Sequence, residues 1–310
     1  MENYVANLPG RKRGRFLTRL AVAATAAALV GTTAGSAVAD TPVPAPLKNV
    51  DIEALVAEPS NAPAAAQAGT TPVFLLWGVD KNASAYLYGP SGTGGFNTRD
   101  YVDTGWNTVK HVSSIDLNGD SEYDGVWLWD TAGYVYFDGG TTREVGKGWN
   151  IYNLVLSPSN LGGTTQDDVL ARDNAGALWL YKGNLNGTLS ARVKAGSGWN
   201  IYTHITGKGD LTGDGRADLV AKDKAGVLWL YKGTGNAAAP FSARTKVGSG
   251  WNIYNKVIAN GDLNLDGRAD LVARDAAGAM WLYKGTGNAG APFSARTKVG
   301  SGFNIYNKLF

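Results

Sequence analysis

Between residues 71 and 310 apolar positions come in short bursts, and no stretch sustains a 3.6-residue period. Five runs are rich in aromatic and branched side chains, at 85–88, 134–137, 178–181, 228–231 and 280–283. A second set falls at 74–80, 125–131, 168–173, 218–223 and 270–275. Both sets are punctuated by Gly and Asn-Gly and predict β-strands. Runs such as Leu228-Trp229-Leu230-Tyr231 are apolar on both faces, as a strand covered by sheets on both sides requires. A third segment recurs with them. It reads Gly105-Trp106-Asn107, Gly148-Trp149-Asn150-Ile151-Tyr152, Gly198-Trp199-Asn200-Ile201-Tyr202, Gly250-Trp251-Asn252-Ile253-Tyr254 and Gly302-Phe303-Asn304-Ile305-Tyr306.

Successive copies lie 43, 50, 52 and 52 residues apart. A period of about 40–50 residues indicates a propeller, solenoid or array. Radially stacked blades cover both faces of each sheet and leave only short edges. Residues 71–310 divide into five units averaging 48 residues, each offering four strands. The chain ends in a strand at 306–310, and the first unit, starting at Phe74, lacks the strand that precedes it elsewhere. The sequence therefore predicts an all-β, five-bladed β-propeller of four-stranded antiparallel blades. Pairing of the N- and C-terminal strands closes the ring.

The first 70 residues follow another pattern. Arg11, Lys12, Arg13, Arg15 and Arg19 precede an apolar run at 20–30, and Ala37-Val38-Ala39 forms a small-x-small site before Asp40. Residues 1–39 are expected to be a secretory signal peptide and the protein to be secreted. The apolar run is shorter than the roughly 20 residues a spanning helix needs, so no membrane span is expected. Pro42, Pro44, Pro46, Pro59 and Pro63 mark 40–70 as a linker. Within it, Leu47, Val50, Ile52, Leu55 and Val56 would line one side of a short helix if one formed. Segment 47–57 is then either a transient helix in a flexible tail, the favoured reading, or a docking peptide for a protein partner or adaptor.

Composition narrows the chemistry. The chain has no Cys and two His, which excludes disulfides, thiolate metal sites and a cysteine nucleophile. The net charge of +3 comes from the leader: without residues 1–39 there are 24 basic and 25 acidic residues. A nucleic-acid partner is therefore not expected. Neither Gly-x-Ser-x-Gly nor His-Glu-x-x-His occurs. His111 and His204 hold equivalent places after the recurring turn and read as strand residues, not as a catalytic pair. A non-enzyme is expected.

Three units carry one acidic loop, placed by the repeat between the last strand of one blade and the first of the next. Its candidate ligands are Asp116, Asn118, Asp120 and Asp124; Asp210, Thr212, Asp214 and Asp218; Asp262, Asn264, Asp266 and Asp270. Oxygen side chains at loop positions 1, 3, 5 and 9 suit calcium, a hard cation that takes 6–8 oxygens. Without a cation, the same residues form Asx-turns with clustered carboxylates that repel one another. The third unit keeps only Asn160 and Asp168 at positions 1 and 9, with Gly162 and Thr164 between, and no metal is expected there. The ions are expected to be structural and to add stability by mass action.

The acidic loop followed by Leu-Val-Ala-Arg-Asp resembles the FG-GAP or VCBS repeat of integrin propellers and secreted bacterial proteins. The Gly-Ser-Gly-Trp-Asn-Ile-Tyr-Asn ending, the Leu-Tyr strand and the Ala-Arg-x-Lys-x-Gly segment resemble the tachylectin-type five-bladed lectins. That resemblance spans about 71–310 and implies binding of N-acetylated sugars between blades. The acidic loops depart from the lectin pattern. Similar propellers serve as lectin subunits of secreted, umbrella-shaped toxin assemblies, which implies a targeting role and an adaptor for the linker.

A pyranose offers an apolar face for an aromatic ring and a hydroxyl edge for amides and phenols. The candidate glycan-binding residues are Trp149, Asn150 and Tyr152; Trp199, Asn200 and Tyr202; Trp251, Asn252 and Tyr254. Each Trp could equally be a wedge between sheets. The Lys-Gly-Thr-Gly-Asn loops at 232–236 and 284–288 are the second choice. Repetition adds avidity against a multivalent surface. The expected function is a secreted, calcium-stabilised lectin for surface glycans; the alternative is a protein-interaction scaffold.

Overall fold

A computed structural model describes residues 72–310. The expected leader 1–39, linker 40–70 and segment 47–57 lie outside the described residues. Twenty strands run in chain order. The first blade holds β1 (Leu76–Asp80), β2 (Ala85–Tyr88) and β3 (Asp100–Asp103). The second holds β4 (Val109–Ile115), β5 (Gly125–Asp130), β6 (Val135–Asp138) and β7 (Thr142–Gly146). The third holds β8 (Tyr152–Ser159), β9 (Asp168–Asp173), β10 (Leu178–Tyr181) and β11 (Val193–Gly196). The fourth holds β12 (Tyr202–Thr206), β13 (Leu219–Asp223), β14 (Leu228–Tyr231) and β15 (Thr245–Gly248). The fifth holds β16 (Tyr254–Ile258), β17 (Leu271–Asp275), β18 (Met280–Tyr283) and β19 (Thr297–Gly300).

The last strand, β20 (Tyr306–Leu309), pairs antiparallel with β1, so the first sheet runs β20-β1-β2-β3. The structure is thus the all-β, five-bladed propeller with terminal-strand closure that the repeat predicts. Among the described residues no helix is long and apolar enough to cross a membrane.

Two expectations need correction. The acidic loops join β4 to β5, β12 to β13 and β16 to β17, which are neighbours in one sheet. They lie inside a blade, because the inner strand belongs structurally to the strands that follow it. The strands read as apolar on both faces are also uneven. In β14 the two leucines are buried and Trp229 and Tyr231 are half-buried.

The recurring Trp-Asn turn is a single turn of 3-10 helix that leads into each inner strand. A glycine with positive φ starts it; Gly198 has φ 78° and open space around its α-carbon. Backbone conformation, not room, requires glycine there. The turns also join the blades. Arg172 donates to the carbonyls of Trp199 and Tyr202 at 3.0 and 2.8 Å, and Arg274 to those of Phe303 and Tyr306, both at 2.9 Å. Lys222 donates to Tyr254, Lys110 to Tyr152 and Lys308 to Val109. Each of the five junctions is stapled by a cation on backbone carbonyls. The core is likewise divided among the junctions, with one apolar cluster at each.

Candidate functional site

The acidic loops spend most of their carboxylate oxygens on their own backbone. Asp210 accepts from the amides of Thr212, Gly213 and Gly215 at 2.8, 2.7 and 2.6 Å. Asp218 accepts from Leu211 at 3.0 Å and from Gly233, beyond β14, at 2.8 Å. Asp262 and Asp270 repeat this pattern, and so do Asp116 and Asp124 toward the amides of their own loop. At the middle positions Asn118 donates to Asp120 at 3.0 Å and Asn264 to Asp266 at 2.9 Å. Thr212 hydrogen-bonds Asp210, and Asp214 pairs with Lys232 at 3.3 Å.

One observation fits a cation: the Asn264 Oδ1 is buried without a partner. Burial also raises the Asp116, Asp124 and Asp262 carboxyls, lifting Asp218 to about 6 and Asp270 to about 7. A cation would relieve that cost. Among the described residues, however, no three acidic or imidazole side chains gather as a metal-binding group. The degenerate third loop keeps the same conformation, with Asp168 accepting from Leu161, Gly162 and Gly183. These backbone hydrogen bonds are thus made without the side-chain oxygen at position 3 and the carboxylate at position 5 that the acidic loops carry.

Asp168 carries a pH prediction of its own. Burial lifts it to about 6, from an unfolded value of about 3.9. The folded chain then holds this proton more tightly, so the group's stabilising contribution is present below about pH 4 and lost as pH rises to about 6. Across that window the melting temperature of Asp168→Asn is expected to gain on wild type. Parallel curves would overturn this.

The recurring turns place the expected sugar contacts unevenly. Trp149, Trp199 and Trp251 are 8%, 6% and 7% exposed. Their rings lie 4.4, 4.6 and 4.6 Å from those of Tyr181, Tyr231 and Tyr283. They are wedges between blades, their faces taken by protein. Tyr152, Tyr202 and Tyr254 are buried as well. Asn150, Asn200 and Asn252 are exposed, and the latter two donate to the carbonyls of Asn174 and Lys224, both at 3.3 Å. In the second-choice loops, Thr234 and Thr286 each donate to a loop carbonyl at 2.6 Å. Lys284 lines a cleft of about 460 Å³ with Ser91, Thr93, Phe96 and Lys298.

A different constellation stands nearer to solvent. Arg192, Arg244 and Arg296 lie over the rings of Trp179, Trp229 and Trp281 at 4.1, 4.2 and 4.3 Å. The indole nitrogens donate to Asp173, Asp223 and Asp275 at 2.9, 2.9 and 2.8 Å, fixing the rings. The same arginines donate to the Tyr152, Tyr202 and Tyr254 hydroxyls, which pair with those of Tyr181, Tyr231 and Tyr283. Burial, then the phenol pairing, pushes these three partner phenols up, so they stay protonated. The first blade repeats the group with Arg99 over Tyr86 at 4.2 Å and the Tyr88–Tyr306 pair. In the second blade Asp138 takes the place of Tyr181, and Arg143 lies over Phe137 at 5.2 Å. The Ala-Arg-x-Lys-x-Gly segment was the available signal. Its spacing shows a repeated arginine but not which ring the arginine covers.

A family model described as FG-GAP-like repeat matches residues 210–273, the segment from the fourth blade's acidic loop into β17. No curated protein matches the chain in sequence. Among solved structures, BP39L lectin from Burkholderia pseudomallei is 13% identical with a TM-score of 0.45, over 72% of this chain and 69% of that one. A triple arginine-to-alanine variant of AofleA from Arthrobotrys oligospora is 11% identical with a TM-score of 0.43, over 74% and 72%. Prp20p from Saccharomyces cerevisiae, solved in a study of its binding to Gsp1p and histones, is 12% identical with a TM-score of 0.37. That match covers 74% of this chain but 61% of Prp20p. The chain is a five-bladed β-propeller whose residues 210–273 are similar to the FG-GAP-like repeat.

Proposed function

We propose that this propeller is a secreted, non-catalytic carbohydrate-binding module that engages glycans at several blades at once. The carrying observation is the repetition of one constellation in four of the five blades: an exposed guanidinium stacked on a fixed aromatic ring, beside a phenol pair. The guanidinium offers five N–H donors to hydroxyl or carboxylate edges, and Asn150, Asn200 and Asn252 supply exposed amides. Several weak sites of this kind suit a targeting subunit of a larger secreted assembly.

Binding of the purified protein to a glycan array tests the reading. Retention of one sugar class, reduced by Trp229→Ala in a protein that still folds, supports it. A folded protein that retains no glycan rejects it. The second reading, a protein-interaction scaffold, rests on a different feature. Ile151, Ile201, Ile253 and Ile305 occupy the same place in four turns and are 48%, 47%, 54% and 47% exposed. Co-purification of a protein partner that is lost on Ile201→Ser and Ile253→Ser would favour it.

Calcium belongs to the proposal as a structural ion, held by the loop oxygens at 116–124, 210–218 and 262–270. Bound ions would strengthen the inner hairpins and leave the clefts untouched. Added calcium is expected to raise the melting temperature, chelation to reverse this, and Asn264→Ala to shrink the effect. A melting temperature indifferent to both removes calcium from the proposal.

A further inference from the structure

The five inner strands surround a central channel whose cavity measures about 340 Å³. Register places His111, Leu154, His204, Lys256 and Lys308 at one level of those strands. Lys110, His111, Lys256, Lys308 and, farther along, Lys208 line the cavity, and no Asp or Glu does. Lys208 is neutralised by Asp167 at 2.7 Å. The other cations have no acid beside them.

Their hydrogen bonds separate them further. Lys110 and Lys308 are taken up by the carbonyls of the neighbouring turn, as are Arg274 and Lys222 behind the inner strands. His204 places Nε2 3.1 Å from the Asn255 carbonyl and Nδ1 3.1 Å from the Thr203 hydroxyl. Lys256, at the stapling position of its blade, bonds no carbonyl among the described residues. The His111 Nε2 is buried with no partner. A buried polar atom left unpaired costs free energy, and so do like charges facing one another in a partly enclosed space.

We propose that this end of the channel, between Lys256, Lys308 and His111, binds a small oxyanion: a carboxylate, phosphate or sulfate group. The fifth, first and second blades are consecutive around the ring, so these three side chains converge from adjacent strands. An oxyanion would accept from the free Lys256 ammonium and from a His111 Nε2–H, and would lie against the Lys308 charge. The cavity has room for a solute of several heavy atoms, since a water takes about 30 Å³ of liquid volume. Titration follows from the same geometry. Burial, then the Arg274 charge, brings Lys256 down to about 8. Burial, then the charges of Lys110, Lys256 and Lys308, brings His111 down to about 3. The imidazole is therefore a neutral donor across the working range, and binding weakens as pH rises through the Lys256 value.

Isothermal titration calorimetry with sodium phosphate and with sodium citrate, at constant ionic strength, tests this. One-to-one binding is expected near neutral pH, weakened at least tenfold in Lys256→Gln and at alkaline pH. Lys147→Gln, an exposed lysine elsewhere, should leave it unchanged. Lys256→Arg keeps the charge without its titration, so it should bind and lose the alkaline weakening. Citrate binding alone would assign an organic carboxylate, and phosphate binding alone a phosphate or sulfate group. Absence of binding by both, or equal weakening in Lys147→Gln, overturns the proposal. This outcome is independent of glycan retention, because the clefts and the channel share no residue.

Discussion

Replacing Lys208 with alanine is expected to destabilise the propeller by about 3–5 kcal/mol, the range for removing one partner of a buried ion pair. Lys208 is 4% exposed and its ammonium joins three blades. It donates to the Ser114 carbonyl at 2.7 Å, the Ser157 hydroxyl at 3.3 Å and the Asp167 carboxylate at 2.7 Å. It also lies over the Phe74 ring at 4.2 Å. Burial lowers the lysine's pKa, and the neighbouring Asp167 charge opposes that. Without the ammonium, Asp167 stays as a 3% exposed carboxylate facing the Asp116 amide at 3.2 Å and the Ser157 hydroxyl at 3.5 Å. The double variant Lys208→Met with Asp167→Asn removes both charges and should recover much of the loss. Urea unfolding of Lys208→Met, Asp167→Asn and the double variant measures the coupling. Additive losses would show that the pair does not act as a unit.

The triple variant Arg192→Ala, Arg244→Ala and Arg296→Ala is expected to lose about 10²–10⁴-fold in avidity for a glycan-coated surface. A single substitution should cost a few-fold. Each arginine is exposed and lies against a half-buried Trp ring. A cation–π contact at such a site contributes only about 0.5–1 kcal/mol, so folding should survive. Surface plasmon resonance on a dense and a sparse glycan surface separates the terms: avidity falls with density, whereas intrinsic affinity does not. Undiminished binding by the folded triple variant would move the sugar site away from these clefts.

The repeat was legible because a propeller writes its period directly into the chain. Strands β2, β9, β10, β14 and β18 fall on the segments their composition marks, and closure follows from a leftover strand at 306–310. One segment slipped. The run at 134–137 is displaced by one residue from β6, since Tyr134 looks like a strand residue but lies in the turn before Val135. The acidic loop was found as a motif yet assigned to the wrong connection, because linear order does not say which neighbouring strands hydrogen-bond.

The candidate site was less legible, for a physical reason. Trp149, Trp199 and Trp251 share their turns with exposed asparagines, and sequence alone leaves a tryptophan free to be wedge or platform. Their burial was decided by Tyr181, Tyr231 and Tyr283, each 32 residues away, whose rings fill the space in front of them. Similarly, Arg244 lies 15 residues beyond Trp229, and the β14–β15 pairing brings them together.

By itself the sequence determined the number of blades, the strand windows, the closure and the composition of the loops, because these depend on local preference and period. Tertiary structure alone decided which aromatic faces meet solvent, which carboxylates serve backbone amides, and which cations converge on the channel without an acid. Those outcomes depend on which strands pair and how blades pack, so the repeat specifies residue types and only the folded ring specifies partners.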